Sequence, residues 1–197
     1  VICNFIKNNV LMKKILTFSI IFFIISCTTQ KTNLTENGKE GTGYLKNNMK
    51  QGKWIFFKEG NLNSIGKYSQ NKKNGNWKFF YSNGKLHQKG KFIDDNQNGI
   101  WNYYFDTGEF MGKGQLLNDK QIGIWKWYHK NGELYTERFY DDGKLMEIKS
   151  CFDKQGQKMN CGKIINGNGT MLFHDLEKET NTIQKINFEN GIIKNYR

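Results

Sequence analysis

The 197-residue chain contains no proline, only three histidines and four cysteines, and its longest apolar stretch, Ile15 to Ile25, is eleven residues. Each scarcity removes a class of protein. His87, His129 and His174 stand apart from one another, and no H-E-x-x-H, G-x-S-x-G or phosphate-cradling loop occurs, so no metal, cofactor or catalytic site is expected. Paired carboxylates such as Asp94-Asp95 and Asp141-Asp142 fall where turns are expected, and Asp serves the local backbone there. An eleven-residue apolar stretch is too short to span a bilayer, which needs about 20 residues. Negative charge is the scarcer sign: 18 Asp and Glu stand against 30 Lys and Arg, a net charge of +12, with no single basic block. Dispersed lysines describe a solvated face. They also suit an anionic membrane surface, a polyanion or an acidic protein. What is present in their place is glycine, 21 residues, and aromatics, 15% of the chain. That mixture points to strands and turns.

Met12, Lys13 and Lys14 precede the apolar stretch, and Ser26 and Cys27 follow it, as in a cleavable signal peptide over residues 1–26. Residues 1–11 lie upstream of the first methionine and read as an over-extended start. Ile24, Ile25, Ser26 and Cys27 resemble the lipobox of bacterial lipoproteins. The resemblance implies that Cys27 carries diacylglycerol, becomes the first residue and is N-acylated, which anchors the chain in a membrane. Thr28, under the same family's sorting rule, implies the outer membrane of the cell envelope, facing the periplasm. The alternative is an ordinary secretory signal with an incidental cysteine. Export leaves Cys151 and Cys161 as an even pair in an oxidising space, and a disulfide between them is expected.

Aligned on tryptophan, the segments GKWIFFKEGNL, GNWKFFYSNGKL, GIWNYYFDTGEF and GIWKWYHKNGEL place Trp54, Trp77, Trp101 and Trp125 at intervals of 23, 24 and 24 residues. A fixed period of this size signals stacked supersecondary units. Each unit holds two strands, with Asn83-Gly84, Thr107-Gly108 and Asn131-Gly132 at the hairpin turn; Asn-Gly there suggests a type I′ turn. A two-residue turn at 83–84 sets Trp77 opposite Gly90 and Tyr81 opposite Leu86, and its counterpart sets Trp101 opposite Gly114. A ring over bare backbone then covers the weak point of a strand glycine. Arg138, opposite Trp125, would supply a cation–π contact instead.

Because 24 is even, equivalent residues return to the same face. Trp77, Phe79, Tyr81, Leu86 and Phe92 define the buried face. The other face carries lysines such as Lys78 and Lys126, with one aromatic per unit at Phe57, Phe80, Tyr104 and Tyr128. This row, its members spaced at about 10 Å, is the candidate binding surface. Its alternative role is packing within the sheet.

The pattern G-x-W-x-x-[YF], N-G-[KE]-[LF] and G-K-[YF] resembles the bacterial variant of the MORN repeat. The resemblance covers residues 43–140 and implies an all-β fold, an extended meander of antiparallel hairpins in one open sheet, preceded here by the signal-peptide helix. Residues 27–40 are expected to be a polar tether, 41–140 four repeats, and 141–197 a degenerate repeat that caps the array. The expected function is a non-catalytic, lipid-anchored scaffold that binds a protein or envelope polysaccharide. Some relatives carry an antitoxin label, which implies an alternative role in occluding a toxin. Export argues against nucleic acid as partner.

Overall fold

The computed structural model describes residues 29–174 and 183–196; the signal segment with its expected helix, and Cys27, lie outside them. These residues form strands and turns only. No helix among them is long and apolar enough to cross a membrane. Twelve strands make one antiparallel sheet: β1 (Thr29–Glu36), β2 (Lys39–Lys46), β3 (Met49–Lys58), β4 (Asn61–Ser69), β5 (Lys72–Lys73), β6 (Gly75–Phe80), β7 (Leu86–Ile93), β8 (Asn96–Tyr104), β9 (Phe110–Leu117), β10 (Lys120–Tyr128), β11 (Leu134–Asp141) and β12 (Lys144–Cys151). The order is that of the chain, with short β5 beside β4. A second sheet of four follows: β13 (Gly162–Ile165), β14 (Asn168–His174), β15 (Ile183–Glu189) and β16 (Ile192–Tyr196).

The meander of hairpins is the architecture expected, with two differences of extent. Residues 29–36 are not a tether: they form the edge strand β1, paired with β2 from Thr29 to Glu36. The turn Asn37-Gly38, both residues at positive φ, folds them back, and Leu34 packs on the tryptophan core. The sheet is also not single. From Phe152 to Asn160 the ladder is reduced to an isolated bridge, Phe152 to Lys158, and single bonds such as Met159 N to Cys151 O (3.0 Å), and a new sheet begins at Gly162.

The two ends of each hairpin are built differently. At Asn83-Gly84 the loop has three residues, not two. Tyr81 N donates to Lys85 O (2.9 Å), Gly84 N donates to Tyr81 O (3.0 Å), and only Gly84, at φ +83°, is left-handed. Gly108 and Gly132 repeat this arrangement. The extra residue is absorbed by a bulge between Phe79 and Phe80. Beyond the bulge Trp77 pairs with Gly90 and Trp101 with Gly114; before it, Leu86 pairs with Phe80 and not Tyr81. Bulges commonly restore register in this way. The first unit is one residue shorter, and there Glu59-Gly60 forms a two-residue turn with both φ positive.

At the opposite end the turns have two residues, both left-handed: Gln70-Asn71, Asp94-Asp95 and Asn118-Asp119. Each second residue ties its turn to the preceding repeat. Asn71, Asp95, Asp119 and Gly143 N–H groups donate to the carbonyls of Lys50, Lys73, Gln97 and Gln121 at 3.1, 3.0, 3.1 and 2.9 Å. In return, Asp95 Oδ1 accepts from Lys73 N at 2.7 Å and Asp119 Oδ1 from Gln97 N at 2.6 Å. The ladder continues into the second sheet, where Gly167 N donates to Met146 O (3.0 Å) and Gly191 N to Gly167 O (2.8 Å).

The core occupies one face of the large sheet. Trp54, Trp77, Trp101 and Trp125 are fully buried there with Phe56, Phe92 and Leu116. The glycine beneath each ring is not the one opposite it in the hairpin. A Cβ at Gly43, Gly66, Gly90 or Gly114 would overlap Trp54, Trp77, Trp101 or Trp125 respectively. Each tryptophan thus lies on the return strand of the unit before it. Neighbouring rings complete the packing: Trp77 meets Tyr68 edge-on at 5.2 Å and Phe92 at 5.9 Å, and stacks with Phe79 at 5.8 Å. This offset explains Arg138. Residue 149, where the next tryptophan would fall, is Lys149, so no ring requires bare backbone at 138. Arg138 pairs with Trp125 in register, but its guanidinium lies over Tyr135, 5.9 Å from the ring centre, not over Trp125.

Candidate functional site

The face away from the tryptophans presents two parallel rows. Nearest the glycine turns, the register pairs Phe57 with Leu62, Phe80 with Leu86, Tyr104 with Phe110 and Tyr128 with Leu134. The predicted aromatics are therefore not isolated posts. Phe110 bridges Tyr104 and Tyr128, with ring centres 5.7 and 5.3 Å away. Leu86, assigned by the sequence to the tryptophan face, joins this stripe because the bulge moves it. Phe57 is 36% exposed, whereas Phe80, Tyr104 and Tyr128 are half-buried. The result is an apolar stripe with members on eight strands.

The second row runs Ile65, Lys78, Lys89, Asn102, Lys113, Lys126 and Glu137 from strand to strand. Two pairs of lysines stand directly opposite each other, Lys78 with Lys89 and Lys113 with Lys126. Only the far end is neutralised: Lys126 Nζ is 2.7 Å from Glu137. Glu137 accepts that hydrogen bond and another from Ser150, which hold its carboxyl below the usual range against partial burial. The same hydrogen bond raises Lys126. Lys89 leans over Tyr104, 5.6 Å from its centre, joining this row to the apolar stripe. Beside the second row, on the side away from the apolar stripe, lies a cavity of about 290 Å³ whose lining includes Asn76, Lys78, Lys89, Lys91, Ile100 and Asn102. Its polar groups are ammonium and amide, a set suited to an anion.

Of the predicted site residues, Phe57, Phe80, Tyr104, Tyr128, Lys78 and Lys126 share this face. Gly90 and Gly114 lie under rings on the other. Cys27 is outside the described residues. Cys151 and Cys161, Cα atoms 6.0 Å apart, are joined by a disulfide buried against Tyr135.

The sequence reading missed Lys50 and Lys73 on the tryptophan face. Lys50 Nζ is 5.2 Å from the Tyr68 ring and 5.6 Å from Trp54, and Lys73 Nζ is 5.1 Å from Phe92 and 5.4 Å from Trp77. Burial depresses the Lys73 ammonium, with Asp95 opposing. Burial, with Glu36 and Asp95 adding, pushes Tyr68 up to about 12. The available signal was a lysine four residues before each of the first two tryptophans, replaced by Gln97 and Gln121 later. His129, which has no metal-ligand neighbours, is buried with Nε2 2.9 Å from Phe152 O. Among the described residues no three His, Cys, Asp or Glu converge as a metal site.

Stacked antiparallel hairpins with one buried aromatic face and one basic apolar face define a β-repeat array. Residues 73–94 and 121–142 match the family model described as MORN repeat variant, which identifies those hairpins as MORN-type repeats. Residues 97–118 between them share the register. No curated protein matches the chain.

Proposed function

We propose that the chain is a non-catalytic MORN-repeat module that binds an acidic protein or envelope polymer across its basic apolar face. In this proposal it is held in the cell envelope, at the outer membrane facing the periplasm, by lipid on Cys27. The observation that carries the reading is the directly opposed pair Lys78–Lys89, with Lys113 further along the same row, beside the stripe from Phe57 to Leu134. Like charges directly opposite across strands destabilise a sheet. A partner that supplies anionic groups relieves that repulsion while the stripe supplies apolar contact. MORN-type repeats, as binding modules without a reaction centre, are compatible with this role.

Site-specific photocrosslinking in cells tests it. A crosslinker replacing Tyr104 should capture a defined partner, and one replacing Tyr68 on the tryptophan face should not. The Lys78→Ala/Lys89→Ala double variant should lose the product while its unfolding transition is no lower than the parent's. Equal crosslinking from both faces, or loss of folding in Phe80→Ser/Tyr104→Ser with no change in the product, would sink the reading. Labelling with an acyl-chain probe, compared with Cys27→Ala, tests the anchor separately.

A further inference from the structure

On the tryptophan face, where the run of tryptophans stops, a cavity of about 440 Å³ opens between the two sheets. Leu145, Met171, Phe188, Ile192 and Ile193 supply an apolar lining, and Arg138 projects into it. Arg138 is only 9% exposed, and its Nε has no hydrogen-bond partner. Among the described residues no carboxylate pairs with it; its one recorded contact of this kind is the Tyr135 ring. A guanidinium does not shed its proton in a protein. A buried, uncompensated charge is costly, and the cost is removed by an anion in bidentate contact. Ile192 and Ile193, 60% and 41% exposed, give the rim an apolar entrance. The volume lies in the range of small-molecule sites, which are mostly apolar with a few orienting polar groups.

We propose that this cavity binds a single-chain amphiphile with an anionic head group, a fatty carboxylate, whose head pairs with Arg138 and whose chain lies along Leu145, Met171 and Phe188. The site is on the opposite face from the basic apolar surface and does not depend on it. Arg138 stands where earlier repeats have glycine, so the loss of one tryptophan opens the space and admits the charge together.

Dodecanoate, kept below its micelle concentration, is titrated into the full chain by calorimetry and by tryptophan fluorescence. Trp125 reports the site because it meets Tyr140, on the cavity wall, at 6.2 Å. Saturable binding at one site is expected, with none for acetate or for dodecyl maltoside. Arg138→Gln should weaken it at least about tenfold, the loss of a charged hydrogen bond, with Arg138→Lys between the two. Ile193→Asp, at an exposed rim position, should also weaken it about tenfold or more by placing a carboxylate in the apolar entrance, so the proposal stays testable if Arg138 proves necessary for folding. Dodecyl phosphate, run in parallel, separates the head groups: tighter binding than dodecanoate overturns the carboxylate assignment in favour of a phospholipid source. Equal binding of dodecanoate and dodecyl maltoside, or undiminished binding by Arg138→Gln, overturns the site.

Discussion

From Gly43 to Trp125 every repeat lays a tryptophan on the glycine of the repeat before it, whereas from Lys144 onward the same turns recur without a tryptophan. The second region fills its interior with Leu145, Ile164, Met171 and Ile186, and a disulfide beside Tyr135 stands where the large sheet ends. The turn ladder passes through both, from Asn71 through Gly143 to Gly191. Period and core are thus separable: turn-to-strand hydrogen bonds hold the spacing, and the aromatic ladder sets rigidity and solidarity between units. Where the aromatics stop, the spacing survives but the sheet divides and a cavity opens.

Trp101→Ala attacks the first region at its strongest point and should cost about 3–5 kcal/mol, measured by urea unfolding. The glycine side of the same joint gives the sharper contrast. Gly90→Ala forces a methyl into the rigid Trp101 ring and should cost about 3 kcal/mol, the upper range for overpacking; Arg138→Ala, at the equivalent position with no ring above it, meets no such clash. Equal losses would show that the offset joint is not what couples the repeats. In the second region, Cys151→Ser should lower stability by about 2.5 kcal/mol, the loop-closure value for so short a ring, read as the shift in unfolding midpoint that a reductant produces in the parent. Tyr68 and Tyr103, both raised to about 12 by burial, are confined to the tryptophan region. Their neutral forms are favoured by folding, so this contribution is whole below the ordinary value of 10 and is lost as pH rises through about 12. Phenolate absorbance, followed beside thermal melts, should show a titration step at about 12 that Tyr68→Phe and Tyr103→Phe each diminish, with the melting temperature falling over the same range. The smallest effect belongs to Glu137→Gln, which breaks a largely exposed pair with Lys126 and should cost under about 1 kcal/mol, removed by salt.

The alternation of Trp77, Phe79 and Phe92 against Lys78 and Lys91, and the interval between tryptophans, carried the fold class and both faces of the sheet. They carried Trp77 opposite Gly90 as well, but through a compensation: the loop is one residue longer than an Asn-Gly pair suggests, and the bulge takes that residue back. What failed to show was contact between units. Strand pairing can be counted along a hairpin, but which neighbouring backbone a ring lies on depends on the stacking of hairpins, so Gly66 under Trp77 was invisible and Arg138 was given the wrong aromatic partner. The outer stripe was half legible for the same reason: Phe80 and Tyr104 follow from alternation, and Leu86 and Phe110 only from the bulge. Residues 29–36 read as a tether because an edge strand needs few apolar side chains when its backbone is paired. The turns at 143, 167 and 191 keep the period through the C-terminal segment, where a degenerate repeat is expected.

The offset between a tryptophan and its glycine has a consequence for how such a chain grows or shrinks. No single hairpin contains a whole link, since the ring comes from one and its seat from the previous one. Copying or deleting any stretch of one full period between Gly43 and Trp125 still gives every new ring a seat, wherever the cut falls. A single-codon insertion between Gly90 and Trp101 opens one link and leaves the others closed. The heritable module of this protein is a length, not a boundary.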